Sequence, residues 1–110
     1  MPGYGRRYGR QRGRCRGKRW IEQIPQSTNF QPMGIQRPYN TIFLSIEELE
    51  ALRLVDLEDL TQEEAAANMG VSRKTLWNDL QKARKKVITA LVNGNAICIQ
   101  GGDYIQRKKE

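Results

Sequence analysis

Residues 60–87 constrain the fold of this chain most strongly, because two helix-start signals there stand on either side of one helix-ending glycine. Thr61 lies three residues before Glu64, a spacing that lets each side chain bond the other residue's backbone N–H at a helix start. Gly70 favours a left-handed helix end, and Ser72 is a preferred cap for the helix that follows. The stretch therefore predicts two helices joined by a three-residue turn, which is the helix-turn-helix arrangement.

The second helix of this pair is predicted to run from Arg73 to about Val92, with Asn93 and Gly94 ending it. On an angular step of about 100° per residue, its apolar residues form one stripe, made of Leu76, Leu80, Ala83, Val87, Ala90 and Leu91. The opposite side carries Lys74, Thr75, Asn78, Gln81, Lys82 and Lys85. This pattern predicts that one face packs on a core while the polar face is available to a partner.

The polar residues at the start of this helix suit contact with duplex DNA. In the major groove, Arg and Lys side chains match guanine acceptors, and Asn and Gln side chains match adenine. The predicted base-reading residues are Arg73, Lys74, Asn78 and Gln81. Thr75 and Lys82 are expected to hold phosphates, and Trp77 lies on the flank, where structural packing and an indole N–H contact to phosphate are equally supported. Secondary phosphate contacts, or a solvated helix end, are expected at Arg84, Lys85 and Lys86.

Charge is segregated along the chain, although the net value is only +7. Residues 1–19 contain eight Arg or Lys and no acid, residues 45–64 contain eight acids against Arg53, and residues 72–86 contain six bases against Asp79. If charge served only to keep a small protein soluble, acidic and basic residues would be interspersed along the chain. The separation instead favours basic surfaces that face an anionic partner and acidic helices that support them.

Residues 1–19 are predicted to form a disordered basic arm, because they lack branched aliphatic side chains and contain five glycines. Interleaved Arg and Tyr suit phosphate contact and stacking on bases. The arm is therefore expected to add phosphate contacts through Arg6, Arg7, Arg10 and Arg12. A passive solubilising tail is the alternative.

Two flanking segments are predicted to be irregular. Pro25, Pro32 and Pro38 exclude a continuous helix from residues 20–40, whose apolar side chains indicate a wrap that covers the helices. Residues 103–110 are predicted to be a frayed polar tail.

Residues 41–102 are predicted to form the folded domain, which is mainly α-helical with three helices. Ser45 and Glu48 repeat the capping box and start a helix that continues to about Leu57, with apolar residues on more than one face. Residues 41–44 and 96–100 are β-prone and suited to pair as a small two-stranded sheet.

Two parts of the sequence resemble known families. The run LEDLTQEEAA with VSRKTL and ARKK resembles the fourth conserved region of sigma factors, especially of the extracytoplasmic-function kind. The longer span from KRWIEQIPQSTNFQPMGI to ALVNGNAICIQGG is similar to the small prokaryotic proteins of family UPF0251, or DUF134, over about four fifths of the chain. The resemblance implies a predicted DNA-binding protein with a sigma region-4-like helix-turn-helix. It does not extend to the Gly/Arg/Tyr-rich opening.

The composition disfavours several classes of protein. With no histidine and two cysteines far apart in sequence, neither a disulfide, a self-contained zinc site nor a cofactor is expected. No apolar run approaches the roughly 20 residues that span a membrane, and no hydrophobic signal core follows the basic N-terminus, so a cytoplasmic protein is expected. An enzyme is disfavoured because the chain has no paired buried acids or phosphate-binding glycine loop.

Three functions fit the sequence. The first is a sequence-specific transcriptional regulator that binds double-stranded DNA. The second is a module that contacts RNA polymerase or its promoter complex, as the sigma resemblance implies. The third is a non-specific nucleic-acid-binding protein that uses the basic arm. A homodimer through the helix over residues 46–57 or through residues 20–40 is an additional alternative, since many regulators bind two half-sites.

Overall fold

In the part of the chain that the structure describes, three helices are flanked by five short strands. The computed structural model describes residues 18–34 and 38–106. Its elements are β1 (Arg19–Ile21), β2 (Asn29–Phe30), β3 (Thr41–Leu44), α1 (Ile46–Leu52), α2 (Gln62–Met69), α3 (Arg73–Asn93), β4 (Ala96–Ile99) and β5 (Tyr104–Gln106). A π-helical segment, Arg53–Leu57, directly follows α1. The prediction of three helices with a small sheet is confirmed.

The helices begin at the predicted caps. The hydroxyl of Ser45 accepts from the Glu48 backbone N–H, and the Glu48 carboxylate accepts from the Ser45 N–H. Thr61 and Glu64 form the same reciprocal pair at the start of α2. Ser72 caps α3. Each cap satisfies backbone donors that a helix start leaves without partners, so the boundaries follow from local chemistry.

The helix after Ser45 differs from its prediction. It is α-helical only to Leu52 and continues as a π-helical segment, in which the Glu58 N–H bonds the Arg53 carbonyl at 2.8 Å. This wider turn keeps Leu54 in the core while the Arg53 guanidinium bonds both Glu50 and Glu58.

A three-stranded sheet packs against the second half of α3. β3 pairs with β4 in parallel, so the predicted pairing of these segments is confirmed. β2 adds to the other edge of β4 in antiparallel orientation. Residues 20–40 are therefore not irregular throughout, because the proline-free stretch at Asn29–Phe30 satisfies backbone groups of β4.

A second, two-stranded sheet joins the two ends of the described chain. β1 pairs with β5 in parallel, from Arg19 beside Tyr104 to Ile21 beside Gln106. The expected boundaries of the arm at residue 19 and of the frayed tail at residue 103 are therefore wrong. The reason is that Ile21 is fully buried and Tyr104 packs on the same core cluster, so both segments bury apolar surface.

Two core clusters lie along α3. Leu76 and Leu80 pack with Met69 and the small residues of α2, and Ala83 packs further along with Ile21 and residues of the three-stranded sheet. Small residues on α2 let the two helices approach closely. No helix in the described residues is long and apolar enough to cross a membrane.

The buried stripe of α3 ends one residue earlier than predicted. Ala90 is buried, but Leu91 is 70% exposed. The buried face turns toward the sheet through Val87 and Ala90, so Leu91 lies outside the contact.

Candidate nucleic-acid interface

One row of polar side chains runs along the face of α3 opposite Leu76. Lys74, Asn78, Gln81 and Lys85 follow one another at alternating spacings of four and three residues, so they share one helical face. Lys74, Asn78 and Lys85 are exposed, and Gln81 is partly buried. We call these four residues the polar row. Long side chains from several consecutive turns therefore point away from the core on one side.

The first turn of α3 adds groups beside this row. The Thr75 N–H donates to the Ser72 hydroxyl at 3.0 Å, and that hydroxyl donates to the Thr75 side-chain oxygen at 3.0 Å. Because Ser72 Oγ is the donor in this hydroxyl pair, the Thr75 hydroxyl keeps its own proton as a donor. Arg73 is exposed and shares a shallow cleft of about 320 Å³ with the first turn of α2.

Exposed basic side chains continue past the first turn. Lys82 is exposed and lines one shallow hollow with Gln81, Lys85 and Lys86. Trp77, on the flank of α3, is 44% exposed, so part of its ring packs on the protein while the rest reaches solvent.

Arg19 and Asp79 form an ion pair that joins β1 to α3. The Arg19 guanidinium donates to both carboxylate oxygens of Asp79, at 3.1 and 3.3 Å, and Asp79 is buried. The one acid among the bases of residues 72–86 is thereby neutralised on the core side of the helix. The polar row itself carries no negative charge.

Two bases on α3 are bound by acids of α1 and of the π-helical segment that follows it, which together we call the supporting helix. Arg84 donates to both oxygens of Asp56, at 2.8 and 3.1 Å, and Lys86 donates to Glu48 at 2.8 Å. The hydrogen bond from Arg84 lowers the pKa of Asp56 below its ordinary value. These contacts point both bases toward the supporting helix, which competes with a role for Arg84 in phosphate contact.

Arg53 ties the supporting helix to the N-terminal segment. Its guanidinium donates to Glu50 at 2.8 Å and to Glu22 at 2.9 Å, and the Glu22 N–H donates to Glu50. The hydrogen bond to Glu50 is the largest cause of a pKa for Arg53 above its ordinary value. Glu50 of α1 thus binds both the Arg53 guanidinium and the Glu22 backbone N–H, and these bonds hold the N-terminal segment on α1.

Sequence reasoning missed Asp79 and its partner Arg19. A lone acid directly before the buried Leu80, in a run of six bases, was the available signal, because a buried carboxylate needs a cation. The predicted arm contacts at Arg6, Arg7, Arg10 and Arg12 lie outside the described residues.

Comparison with known proteins gives a family without an assigned activity. The sequence model of the family described as "Protein of unknown function DUF134" matches residues 7–107. A UPF0251 protein from Methanosarcina acetivorans is 50% identical over 97 residues, which cover 84% of this chain and 87% of that protein. One from Methanocella arvoryzae is 56% identical over 89 residues, covering 80% of this chain and 54% of that protein.

A third UPF0251 protein, from Thermoanaerobacter pseudethanolicus, is 48% identical over 87 residues, covering 78% of this chain and 74% of that protein. This chain therefore spans about half the length of some curated relatives and most of the length of others. No solved structure matches it.

Proposed function

Because this chain belongs to the DUF134 family, whose description assigns no activity, we propose from its geometry that it binds duplex DNA and regulates transcription. In this proposal α2, the turn at Gly70 and α3 act as a helix-turn-helix, and the first turns of α3 enter the major groove. The observation that carries the proposal is the polar row, which presents Lys74, Asn78 and Gln81 opposite the buried face of the same helix.

The side chains divide into two roles. Arg73, Lys74, Asn78 and Gln81 contact base edges, where their donors and acceptors distinguish guanine from adenine. Thr75, Lys82 and Lys85 contact phosphates, which fix the register of the helix without reading sequence. Trp77 lies on the opposite flank of the polar row from Thr75 and Lys82, and it supplies an indole N–H donor there.

The charge distribution supports a polyanionic partner. Asp79 is neutralised by Arg19, so no unpaired carboxylate from the described part of α3 opposes a phosphate. Arg84 and Lys86 bond acids of the supporting helix, which leaves Lys82 and Lys85 as the nearest exposed cations beyond the polar row's first turn. Because Asp56 holds its guanidinium, Arg84 is not used in this proposal even as the secondary phosphate contact that the sequence predicted.

Contact with RNA polymerase is the second candidate. A mainly apolar groove of about 460 Å³ lies between Pro25 and the helix residues Leu49, Leu52 and Leu57, with Asp56 at its lining. Asp56 is paired with Arg84, so the surface that this groove offers is apolar and suits an apolar segment of a polymerase subunit or promoter-bound protein.

The test is selection of bound duplexes from a random pool, followed by affinity measurements on the selected duplex and on competitor DNA. We expect Asn78→Ala and Lys74→Ala each to weaken specific binding by roughly 1–3 kcal/mol. Lys85→Ala should weaken binding equally on both duplexes, because it contacts phosphate. Gln106→Ala, an exposed change on β5, is the neutral control.

The three candidate functions predict different results when binding to polymerase subunits and to RNA is measured beside the duplex selection. A regulator selects one sequence, and Asn78→Ala changes its preference. A polymerase module selects no sequence but binds polymerase subunits without DNA. A non-specific protein binds RNA and DNA alike, and Asn78→Ala then affects all duplexes equally, which would refute base reading by this residue.

A further inference from the structure

Two adjacent residues of β1 fix where this strand lies against α2 and α3. The Arg19 guanidinium donates to both carboxylate oxygens of Asp79, in the second turn of α3. The next residue, Trp20, places its indole against Gly70, in the turn that precedes α3. Both contacts lie in the first turns of α3 or directly before them. β1 is therefore packed beside the end of α3 that enters the major groove in the proposed function.

The ion pair also shows on which flank of α3 the strand lies. At about 100° per residue, Asp79 is about 40° from Thr75 and about 60° from Lys82 around the helix axis. Trp77 is about 160° from Asp79, on the other flank. β1 therefore lies on the flank of α3 that carries Thr75 and Lys82.

Lys18 directly precedes β1, and strand geometry shows which way its side chain points. Successive side chains of a strand point to opposite faces, so Lys18 shares a face with Trp20, while Arg19 shares the other face with Ile21. Ile21 is fully buried, and the face that carries Trp20 covers Gly70. Lys18 is thus directed toward the first turns of α3. It is exposed, and in the described part of the chain no carboxylate bonds its ammonium group.

A helix in the major groove lies between two phosphate backbones. The groove is about 12 Å wide and a helix with its side chains is about 10–12 Å across, so each flank of the helix faces one backbone. We propose that Lys18 binds a phosphate of the backbone that Thr75 and Lys82 contact. β1 then belongs to the DNA interface together with α3. This inference rests on the proposed function, to which it adds a contact from outside the helix-turn-helix.

The arrangement of charge supports this contact. Arg19 neutralises Asp79, the acid of α3 nearest to this flank, so no unpaired carboxylate of α3 repels a phosphate there. On the other flank, Arg84 is bonded to Asp56. The two adjacent bases at the start of β1 thus have separate roles. Arg19 cancels a charge at the edge of the core, and Lys18 is left for the DNA.

The salt dependence of binding to the selected duplex tests this contact. Lys18→Gln should make the slope of log affinity against log salt shallower by about 0.9 and weaken binding roughly fivefold to tenfold at about 0.1 M salt. Lys18→Arg keeps the charge, so it should keep the wild-type slope. The matched control is Gln23→Glu, which lowers the net charge by the same one unit at an exposed residue of the groove beside the supporting helix. This control should keep the wild-type slope, and circular dichroism checks the fold of each variant.

Uncharged phosphate analogues in the duplex identify the strand that is bound. A methylphosphonate placed at one position at a time removes a single phosphate charge. At the phosphate that Lys18 binds, it should weaken binding of the wild type but cause no further loss in Lys18→Gln. The same comparison with Lys82→Gln locates the phosphate that Lys82 binds. We expect both phosphates to lie on one strand.

Each result decides between the contact and the function. If Lys18→Gln keeps the wild-type slope on a duplex that the protein binds specifically, the contact is refuted and the function stands. The contact is also refuted if the two phosphates lie on opposite strands. A wild type that binds no duplex refutes the proposed function and this contact with it. If Lys18→Gln makes the slope shallower on every duplex and no sequence is selected, the contact stands and sequence-specific regulation is refuted.

Discussion

The Trp20 indole lies against Gly70, so closely that a Cβ at position 70 would stand 3.2 Å from two carbons of the ring. Gly70 also has a φ of 69°, in the left-handed region that side chains other than glycine adopt at a cost. Glycine is therefore required at this turn for two separate reasons, its backbone conformation and the space beside it. β1 thus packs directly on the turn between α2 and α3.

Gly70→Ala is expected to destabilise the fold more than Gly94→Ala. Gly94 has a φ of 70° but no heavy atom within 4 Å of its missing Cβ, so its replacement measures the backbone cost alone, about 1–2 kcal/mol. At Gly70 the ring must also shift, which adds about 1 kcal/mol. Urea denaturation of both variants measures the difference in the free energy of unfolding.

The same pair of variants in a Trp20→Ala background provides the control. If the ring causes the excess, the two glycine substitutions should become equally costly in that background. If Gly70→Ala still costs more free energy of unfolding than Gly94→Ala when the indole is absent, or if the two cost the same in the wild type, the contact with Trp20 is not the cause.

The local signals were predictable from the sequence because they act over a few residues. The caps Ser45, Thr61 and Ser72 each bond a backbone group three residues on, so spacing alone predicted the helix starts. The polar row of α3 likewise depends only on the helical period. The fold's local elements and the candidate interface could therefore be predicted from residue spacing.

The contacts between distant segments were not predictable in the same way. Arg19 and Asp79 are 60 positions apart, and β1 joins β5 from the other end of the described chain. Leu91 illustrates a different limit. The period predicts its angle on the helix but not how far the sheet extends beneath it, and Leu91 lies beyond that cover.

Arg19→Gln is expected to lower the free energy of unfolding by about 3 kcal/mol, because it leaves the buried Asp79 carboxylate without its cation. Arg84→Gln breaks the exposed pair with Asp56 and should cost at most about 1 kcal/mol. Denaturant titrations of the two variants compare a buried pair with an exposed one. Equal costs would mean that water enters the Arg19 site and screens Asp79.

Asp56 should titrate below the usual range of aspartates, because Arg84 donates two hydrogen bonds to its charged form. A pKa that is lower in the folded than in the unfolded chain means that the pair stabilises the fold at pH values above the unfolded value. That contribution disappears as the pH falls through the lowered pKa. Carboxyl NMR titration of the wild type and of Arg84→Gln measures the effect, and an identical Asp56 curve in both proteins would contradict it.

Removal of residues 1–17 should weaken DNA binding and flatten its salt dependence without changing sequence preference. The truncation stops before Arg19, since that residue bonds Asp79 and its removal would confuse a stability effect with a binding effect. The slope of log affinity against log salt is negative, and for every phosphate that the arm no longer neutralises it should become shallower by about 0.9. A full-length control with glutamine at positions 6, 7, 10 and 12 removes four charges at constant chain length. If charge is the cause, the slope of this control should become shallower by a similar amount per arginine. If the truncated protein and the glutamine variant both keep the wild-type slope, the N-terminal arginines do not bind phosphate.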